Sequence, residues 1–464
     1  MNVLLYKKVK TMRTFVFLLF LIQTFGLFWK IPFGPKFSIK NKEIHKTIRN
    51  DAFSKNKHLN KIKGFYGLIG PDIDTNNIKS LFDLFIGDGM VQGIFLNEGN
   101  ITFIKQYIRT DKLLYESENG RVPNLPIIQL FFMVFSRFHV LPDLMGLANT
   151  HLLKVKNSVY AVYERDKPYL LDINYENNTL NTIGKMKVNS LQHFSGHSKY
   201  NGSVIETIDY RIFDKIVSYQ MMNENFELIK TINMRTEHLP VIHDFYATND
   251  SVFIIDSPIV LNPSNLLKNE LPVKFDKTKV TWIHVLNKTD LTKTKYYINS
   301  AFYLFHYGSF KETDGRIELC ACLYDDLDFA TLNIKGNYRK IIIDKYSREV
   351  FIEKNAFLET YNLDFPVVYK DNVILRNIEN NIVNGFVICK DLNIEKRIVM
   401  KNRFICGEPS IVKSKNTDFL MGFSNDLVKL IGCVFFINMN TYEIIEIPVS
   451  NHTLPIGFHA NFFT

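Results

Sequence analysis

Short apolar runs recur along most of the chain, some alternating with polar side chains, and each is bounded by a cluster of Asn, Asp, Gly or Lys. Examples are "NSVYAVYE" (157–164), "SVFIID" (251–256), "GRIELCACLYDD" (315–326), "YRKIIID" (338–344), "NGFVICK" (384–390), "DFLMGF" (418–423) and "CVFFINM" (433–439). Runs of this length between turn residues predict β-strands. Helical periodicity is rare over the same region. The best helical candidate is residues 126–145, "PIIQLFFMVFSRFHVLPDLM", which is apolar on too many sides for an ordinary surface helix. Many short strands over about 400 residues, with no helices between them, predict an all-β architecture: a barrel, a pair of sandwiches or a propeller. Seven blades would average about 57 residues, longer than the roughly 40–45 of a typical repeat blade but compatible with long loops. No exact internal repeat marks them.

One long apolar run is of a different kind. Residues 14–29, "TFVFLLFLIQTFGLFW", carry no charge and follow Lys7, Lys8, Lys10 and Arg13. As a helix they would extend about 24 Å, short of the roughly 30 Å hydrocarbon core of a bilayer. An uncleaved anchor or interfacial segment, a signal peptide and a buried or disordered tail all remain open, although no A-x-A-like cleavage site follows the run. The division this predicts is a basic N-terminal arm over residues 1–40 and a β body over 41–464. Charge supports it. Residues 1–63 hold 14 Lys and Arg against Glu43 and Asp51, so the net charge of +9 is concentrated there and the remainder is slightly acidic. A nucleic-acid partner is therefore not expected, because the folded face lacks a basic surface. The basic flanks of the run suit an anionic membrane surface instead.

The five cysteines, Cys320, Cys322, Cys389, Cys406 and Cys433, are odd in number, scattered through strand-like runs and free of any C-x-x-C spacing. They read as reduced core residues, which places the body in the cytosol, with secretion as the alternative. Twelve histidines are present, and a lone histidine is ordinarily a surface or hydrogen-bonded core residue. Four stand in Phe-rich, strand-edge segments: His197 in "HFSGHSKYNG", His243 in "LPVIHDFYATNDSVFIID", His306 in "AFYLFHYGSFKETDG" and His459 in "PIGFHANF". A buried neutral imidazole needs a partner for its lone pair, and one shared metal ion would serve all four. Their wide spacing excludes a local motif, so they would have to converge from separate elements. A propeller allows that, since the innermost strand of each blade faces a common axis.

These segments, taken in order, resemble the carotenoid cleavage oxygenases. The resemblance is carried by "LFDLFIGDGMVQGIFLNEGNITFIKQYIRTDK" (81–112), "GLANTHLLKVKNSVYAVYERDKPYLLD" (146–172), the His243 and His306 segments, "GEPSIV" (407–412) and the closing "PIGFHANF" (455–462). It implies a seven-bladed β-propeller with a small, mostly helical cap. It also implies a non-haem Fe(II) held by His197, His243, His306 and His459, an arrangement in which four neutral imidazoles leave two octahedral positions for O₂ or substrate. Three carboxylates, Glu164, Asp364 and Glu408, would orient ligand histidines by accepting their ring N–H groups. His193, four residues before His197, reads as structural.

Two departures from the family pattern bear on the site. Asp364 stands where the family has Glu, and its shorter side chain predicts a longer or water-bridged bond to its histidine. Gly308 and Ser309 in "HYGSF" replace the usual Asn-Ala and are expected to alter the surface near the iron. Thr150 matches a position where cleaving members place a Thr over a coordination site, which favours an oxygenase over an isomerase. The activity implied is oxidative cleavage of a conjugated carbon–carbon double bond in a carotenoid, apocarotenoid or similar apolar polyene, with O₂ as co-substrate. The alternatives are an iron-dependent isomerase or isomerohydrolase and a degenerate, non-catalytic propeller. Within the apolar cap segment, about 126–145, residues 127–140 with Phe131, Phe132 and Phe135 are the candidate membrane-facing patch, against the alternative of a buried helix.

Overall fold

A computed structural model describes residues 39–50, 53–54, 56–73, 78, 80–122, 126–136, 143–164, 166–188, 193–268, 270–415 and 417–464. Residues 1–38 of the basic arm, with the apolar run 14–29, lie outside the described residues. Among those described, no helix is long and apolar enough to cross a membrane. The propeller unit comprises Ile39–Leu114 and Asn124–Thr464. Tyr115–Pro123 falls in a second, small unit, where the Val122 amide donates to the Glu116 carboxylate.

Seven antiparallel sheets of four or five strands form the blades. Blade II is His151–Val155, Ser158–Val162, Tyr169–Asn174 and Thr179–Lys185. Blade III begins at Lys199–Tyr200 and ends at Leu228–Arg235; blade IV begins at Tyr246–Ala247 and ends at Lys293–Ile298. Blade V runs from Tyr303–Glu312 to Val350–Glu353, blade VI from Leu363–Tyr369 to Asn393–Val399, and blade VII from Arg403–Ile405 to Ile444–Ser450. A two-stranded ribbon, Ile259–Leu261 with Val273–Phe275, is inserted in blade IV.

Blade I closes the ring. Its innermost strand, Ala460–Phe463, comes from the end of the chain and pairs antiparallel with Gly64–Asp72. Main-chain bonds between Ile69 and both His459 and Phe458 continue that pairing, so the last residues are a structural strand. The all-β, seven-bladed expectation holds, although helices are few: α1 (Leu81–Phe85), α2 (Asp111–Asn119) and α3 (Pro126–Ser136) are the α-helices among the described residues.

Burial explains the run pattern. Middle strands such as Ser251–Asp256 and Phe419–Asp426 are buried at every position, because neighbouring blades cover both faces, and they read as continuous apolar runs. Outer strands such as Leu228–Arg235 and Asn393–Val399 face solvent on one side and alternate more openly. Interblade clusters fill the gaps: Tyr66, Phe103, Phe423 and Phe436 between blades I and VII, and Phe65, Ile69, Leu152 and Tyr169 between blades I and II.

Helix α3 does not expose the aromatic patch expected of a membrane-facing segment. Phe132 and Phe135 are 9% and 8% exposed, Phe131 is half-buried, and the Phe131 and Phe135 rings lie 4.3 Å apart. Packing takes up these side chains, as the buried-helix alternative required. Residues 137–140 of the candidate patch lie outside the described residues.

Candidate metal centre

The inner strands of blades III and IV are two residues long, which leaves His197 in a turn and His243 in a bend just ahead of them. His306 lies inside its strand, within the first of two register shifts in the pairing of Tyr303–Glu312 with Arg316–Tyr324, the one between Leu304 and Tyr307. Such irregularities bend a strand and re-aim a side chain. His459 immediately precedes the ring-closing strand. Four blades thus bring four imidazoles to the axis, and one ligand nitrogen from each lies within 4.8 Å of all the others.

The other three blades supply the supporting carboxylates. Glu164 of blade II approaches His243 Nδ1 at 2.8 Å, Asp364 of blade VI approaches His306 Nδ1 at 3.0 Å, and Glu408 of blade VII approaches His459 Nδ1 at 3.2 Å. Each carboxylate accepts a ring N–H, which fixes the proton on Nδ1 and leaves Nε2 with its lone pair. The Nε2 atoms then face one another, 3.0 Å apart for His197 and His243 and 3.2 Å for His306 and His459. For the second pair both lone pairs are committed to the gap, a repulsive arrangement unless a cation lies between them. Two nitrogens bound at about 2.1 Å and at right angles on one ion would be about 3.0 Å apart. The donor set therefore fits a metal ion.

The expected lengthening at Asp364 is absent. A register shift between Asp364 and Val367, with Phe365 at φ 52°, brings the short side chain to His306 directly. Burial opposes the charge on Asp364, but His306 and the Tyr324 hydroxyl hold its pKa down to about 2. Glu408 is likewise held below its ordinary value: burial raises it, and His459 with the Ala460 amide outweigh that. Burial and neighbouring imidazoles push His197 far down, and burial pushes His459 down despite Glu408. His243 moves the other way, because Glu164 more than offsets its burial.

Thr150 is 3% exposed, and its hydroxyl lies 3.4 Å from Glu164 Oε2 and 3.3 Å from Asn149 Oδ1. A Cβ at Gly196 would come within 2.7 Å of Thr150 Cγ2 and 3.0 Å of Glu164 Cδ, so only glycine lets the His197 segment approach this pair. The Gly308 departure has a different meaning from the one expected. A Cβ there would stand 2.9 Å from the Cys320 carbonyl and 3.3 Å from the Tyr338 ring, so Gly308 serves packing within blade V. His193 pairs with Asp209 at 3.6 Å and does not join the cluster.

One histidine at the centre escapes sequence reasoning. The His151 ring stacks on His197 with centroids 6.0 Å apart and 13° between planes, and its Nε2 accepts from Asn461 Nδ2 at 3.1 Å. Burial and His459 push its pKa down to about 3, which keeps it neutral. Its position directly after Thr150, at the start of an inner strand, was the available signal. A cavity of about 250 Å³ opens beside His151, His197, His306 and His459, with the Lys199–Asp244 ion pair on its wall. His243 is flanked by Phe305, at 5.6 Å between rings, and Phe305 belongs with Leu81 and Tyr303 to one apolar cluster.

Comparison with known proteins gives a consistent family. The retinal pigment epithelial membrane protein family matches residues 60–379. Carotenoid 9,10(9',10')-cleavage dioxygenase 1 of Arabidopsis thaliana is 23% identical over 459 residues, covering 87% of this chain and 84% of its own. The carotenoid 9,10(9',10')-cleavage dioxygenase of Crocus sativus is 24% identical over 460 residues, covering 86% and 83%. Among solved structures, cobalt-substituted Synechocystis ACO superposes with a TM-score of 0.71 at 16% identity, over 93% of this chain and 97% of that one. Lignostilbene dioxygenase of Pseudomonas brassicacearum gives 0.72 at 14% identity, over 90% and 94%. These structural likenesses establish the fold.

Proposed function

Because the chain belongs to the retinal pigment epithelial membrane protein family, we propose that it is a non-haem Fe(II) dioxygenase cleaving a conjugated double bond of a carotenoid, apocarotenoid or similar apolar polyene. The observation that carries the metal is the His306–His459 pair, whose Nε2 lone pairs face each other at 3.2 Å while both Nδ1 atoms are held by carboxylates. Imidazole donors with no thiolate suit iron among the common metals. The chemistry a bound ferrous ion supplies is activation of O₂ beside the alkene. One C=C bond breaks, two C=O bonds form, and both oxygens come from O₂, so no external reductant is needed.

The chain's own residues hold and orient. Glu164, Asp364 and Glu408 keep three rings aimed at the ion, and Thr150 buttresses Glu164. The apolar side chains of Phe305, Leu81, Phe85 and Phe458 offer the dry surface a polyene requires, with Phe85 and Phe458 in ring contact at 6.0 Å. An isomerase reading has less support, since the curated relatives named above are dioxygenases. Any membrane contact is assigned to residues 14–29, whose basic flanks suit an anionic surface.

The test is anaerobic Fe(II) loading followed by incubation with carotenoid, apocarotenoid and stilbene substrates under ¹⁸O₂. Two carbonyl products, each carrying one labelled oxygen, are expected. A product of unchanged mass, or no turnover of any substrate by iron-loaded protein, would overturn the reading.

A further inference from the structure

Behind the ligand histidines lies a buried arginine. Arg376 is 7% exposed, stands on the strand Asn372–Glu379, and is the direct cross-strand partner of Asp364. Its guanidinium lies over the Phe365 ring at 3.7 Å, and that ring packs on His306 at 4.7 Å and His459 at 5.0 Å. Its Nε has no hydrogen-bond partner among the described residues. Asp364 and Glu408 are the carboxylates that act on it, with Tyr324 and Cys406 also near. A buried cation with an unsatisfied Nε–H is unfavourable on its own account, so its place needs an electrostatic reason.

The charges around the axis provide one. Lys199 and Asp244 cancel in a 2.7 Å ion pair. The ligand histidines are neutral when they bind a metal. That leaves Glu164, Asp364 and Glu408 at −1 each and Arg376 at +1, a fixed charge of −2. A divalent ion brings the buried centre to neutrality, whereas a trivalent ion leaves it at +1 in a poorly solvated interior. We propose that Arg376 is the charge-balancing residue of the metal centre, setting its fixed charge so that it favours a divalent over a trivalent ion. The inference rests on the metal reading above and extends it to oxidation state. Arg376 is a positioning residue in the electrostatic sense: the stacked Phe365 ring separates it from the ligands.

The test compares wild type with Arg376→Met, Arg376→Gln and Arg376→Lys, of which only Lys keeps the fixed charge at −2. Each protein is loaded anaerobically with Fe(II), its iron content is measured, and the Fe(III)/Fe(II) midpoint potential is read by spectroelectrochemical titration. A unit charge about 10 Å away at an effective dielectric near 20 changes the ferric-to-ferrous binding ratio about tenfold. For Arg376→Met that is a fall of about 59 mV in potential. Arg376→Lys, which keeps the charge and loses the planar stack, is expected close to wild type, and Arg376→Gln is expected to fall with Arg376→Met. Equal potentials in wild type and Arg376→Met, or a Lys variant shifted as far as Met, would overturn the proposal. If Arg376→Met does not fold, Lys and Gln decide. A lowered potential in Gln beside a wild-type potential in Lys supports charge balance, and equal potentials in the two, or failure of both to fold, assign Arg376 to packing. A wild-type protein that takes up no iron refutes the metal reading itself, and this proposal with it.

Discussion

Asp364→Glu is the sharpest test of how the centre is built, because it restores the residue usual in the family at a site shaped for the shorter one. Asp364 is buried and already reaches His306 at 3.0 Å, within 0.2 Å of the reach of Glu164 and Glu408 to their histidines. The backbone has moved to make this possible, through the register shift after Asp364 and the left-handed Phe365. An added methylene has no unfilled reach to occupy, and overpacking a well-filled interior costs about 1–3 kcal/mol. If strain is relieved by swinging the carboxylate away, the His306 N–H is left buried and unpaired, at about 1–3 kcal/mol. Losing a partner of a metal-bound histidine typically weakens the metal by about 10- to 100-fold. The expected outcome is a metal affinity lower by that factor and a metal-free protein that unfolds at lower temperature. The assay is competition against a chelator, with Co(II) or Fe(II), beside thermal unfolding of the metal-free proteins. Asp364→Asn, which keeps the volume and an acceptor oxygen, should lose less affinity than Asp364→Glu and little stability. Wild-type affinity and wild-type unfolding in Asp364→Glu would refute the argument, because the adapted backbone would then be immaterial to the bond.

Replacing Phe131, Phe132 and Phe135 together with Ser should unfold or aggregate the protein, since loss of a buried aromatic costs about 3–5 kcal/mol; a folded, thermally unchanged triple variant would return these side chains to the surface. In the metal-free protein, the depressed His151 binds fewer protons when folded than when unfolded, so its contribution is complete above pH 6.5 and is lost as pH falls from there towards about 3. Urea unfolding at pH 7 and pH 5 should therefore show a loss smaller by up to about 2 kcal/mol in His151→Gln than in wild type, and equal losses in the two proteins would contradict it.

Much of the blade pattern is legible because the middle strands are sandwiched between neighbouring blades, which forces unbroken apolar runs such as "SVFIID" and "DFLMGF". The inner strands are nearly invisible for the opposite reason. Lys199–Tyr200 and Tyr246–Ala247 are too short to show alternation, and their role is to position what precedes them. The four histidines are found through their Phe-rich, strand-edge surroundings, but the register shift that aims His306 leaves no trace in composition. Reach was misjudged at Asp364 because side-chain length is visible in a sequence and a local backbone displacement is not. His151 was missed since it completes no spacing with the other four. Helix α3 is apolar on several sides whether it meets lipid or protein, so only its packing decides.

The distribution of the centre over the ring has a physical consequence. Each of the seven blades contributes one member, His459, Glu164, His197, His243, His306, Asp364 and Glu408 from blades I to VII in turn. No blade holds a complete ligand set, so the site exists only when the ring is closed. Closure depends on Ala460–Phe463 adding to Gly64–Asp72, and the same segment carries His459. A metal ion on the axis therefore binds the closed ring and not the open one, and stabilises closure by RT ln(1 + [M]/Kd), about 2.7 kcal/mol at a free concentration of 100 Kd. In return the closed ring holds the lone pairs of His306 and His459 against each other, a stored bias towards binding that an open chain lacks. The C-terminal strand is thus at once the last structural element and the last ligand, and folding and metal uptake are two sides of one equilibrium.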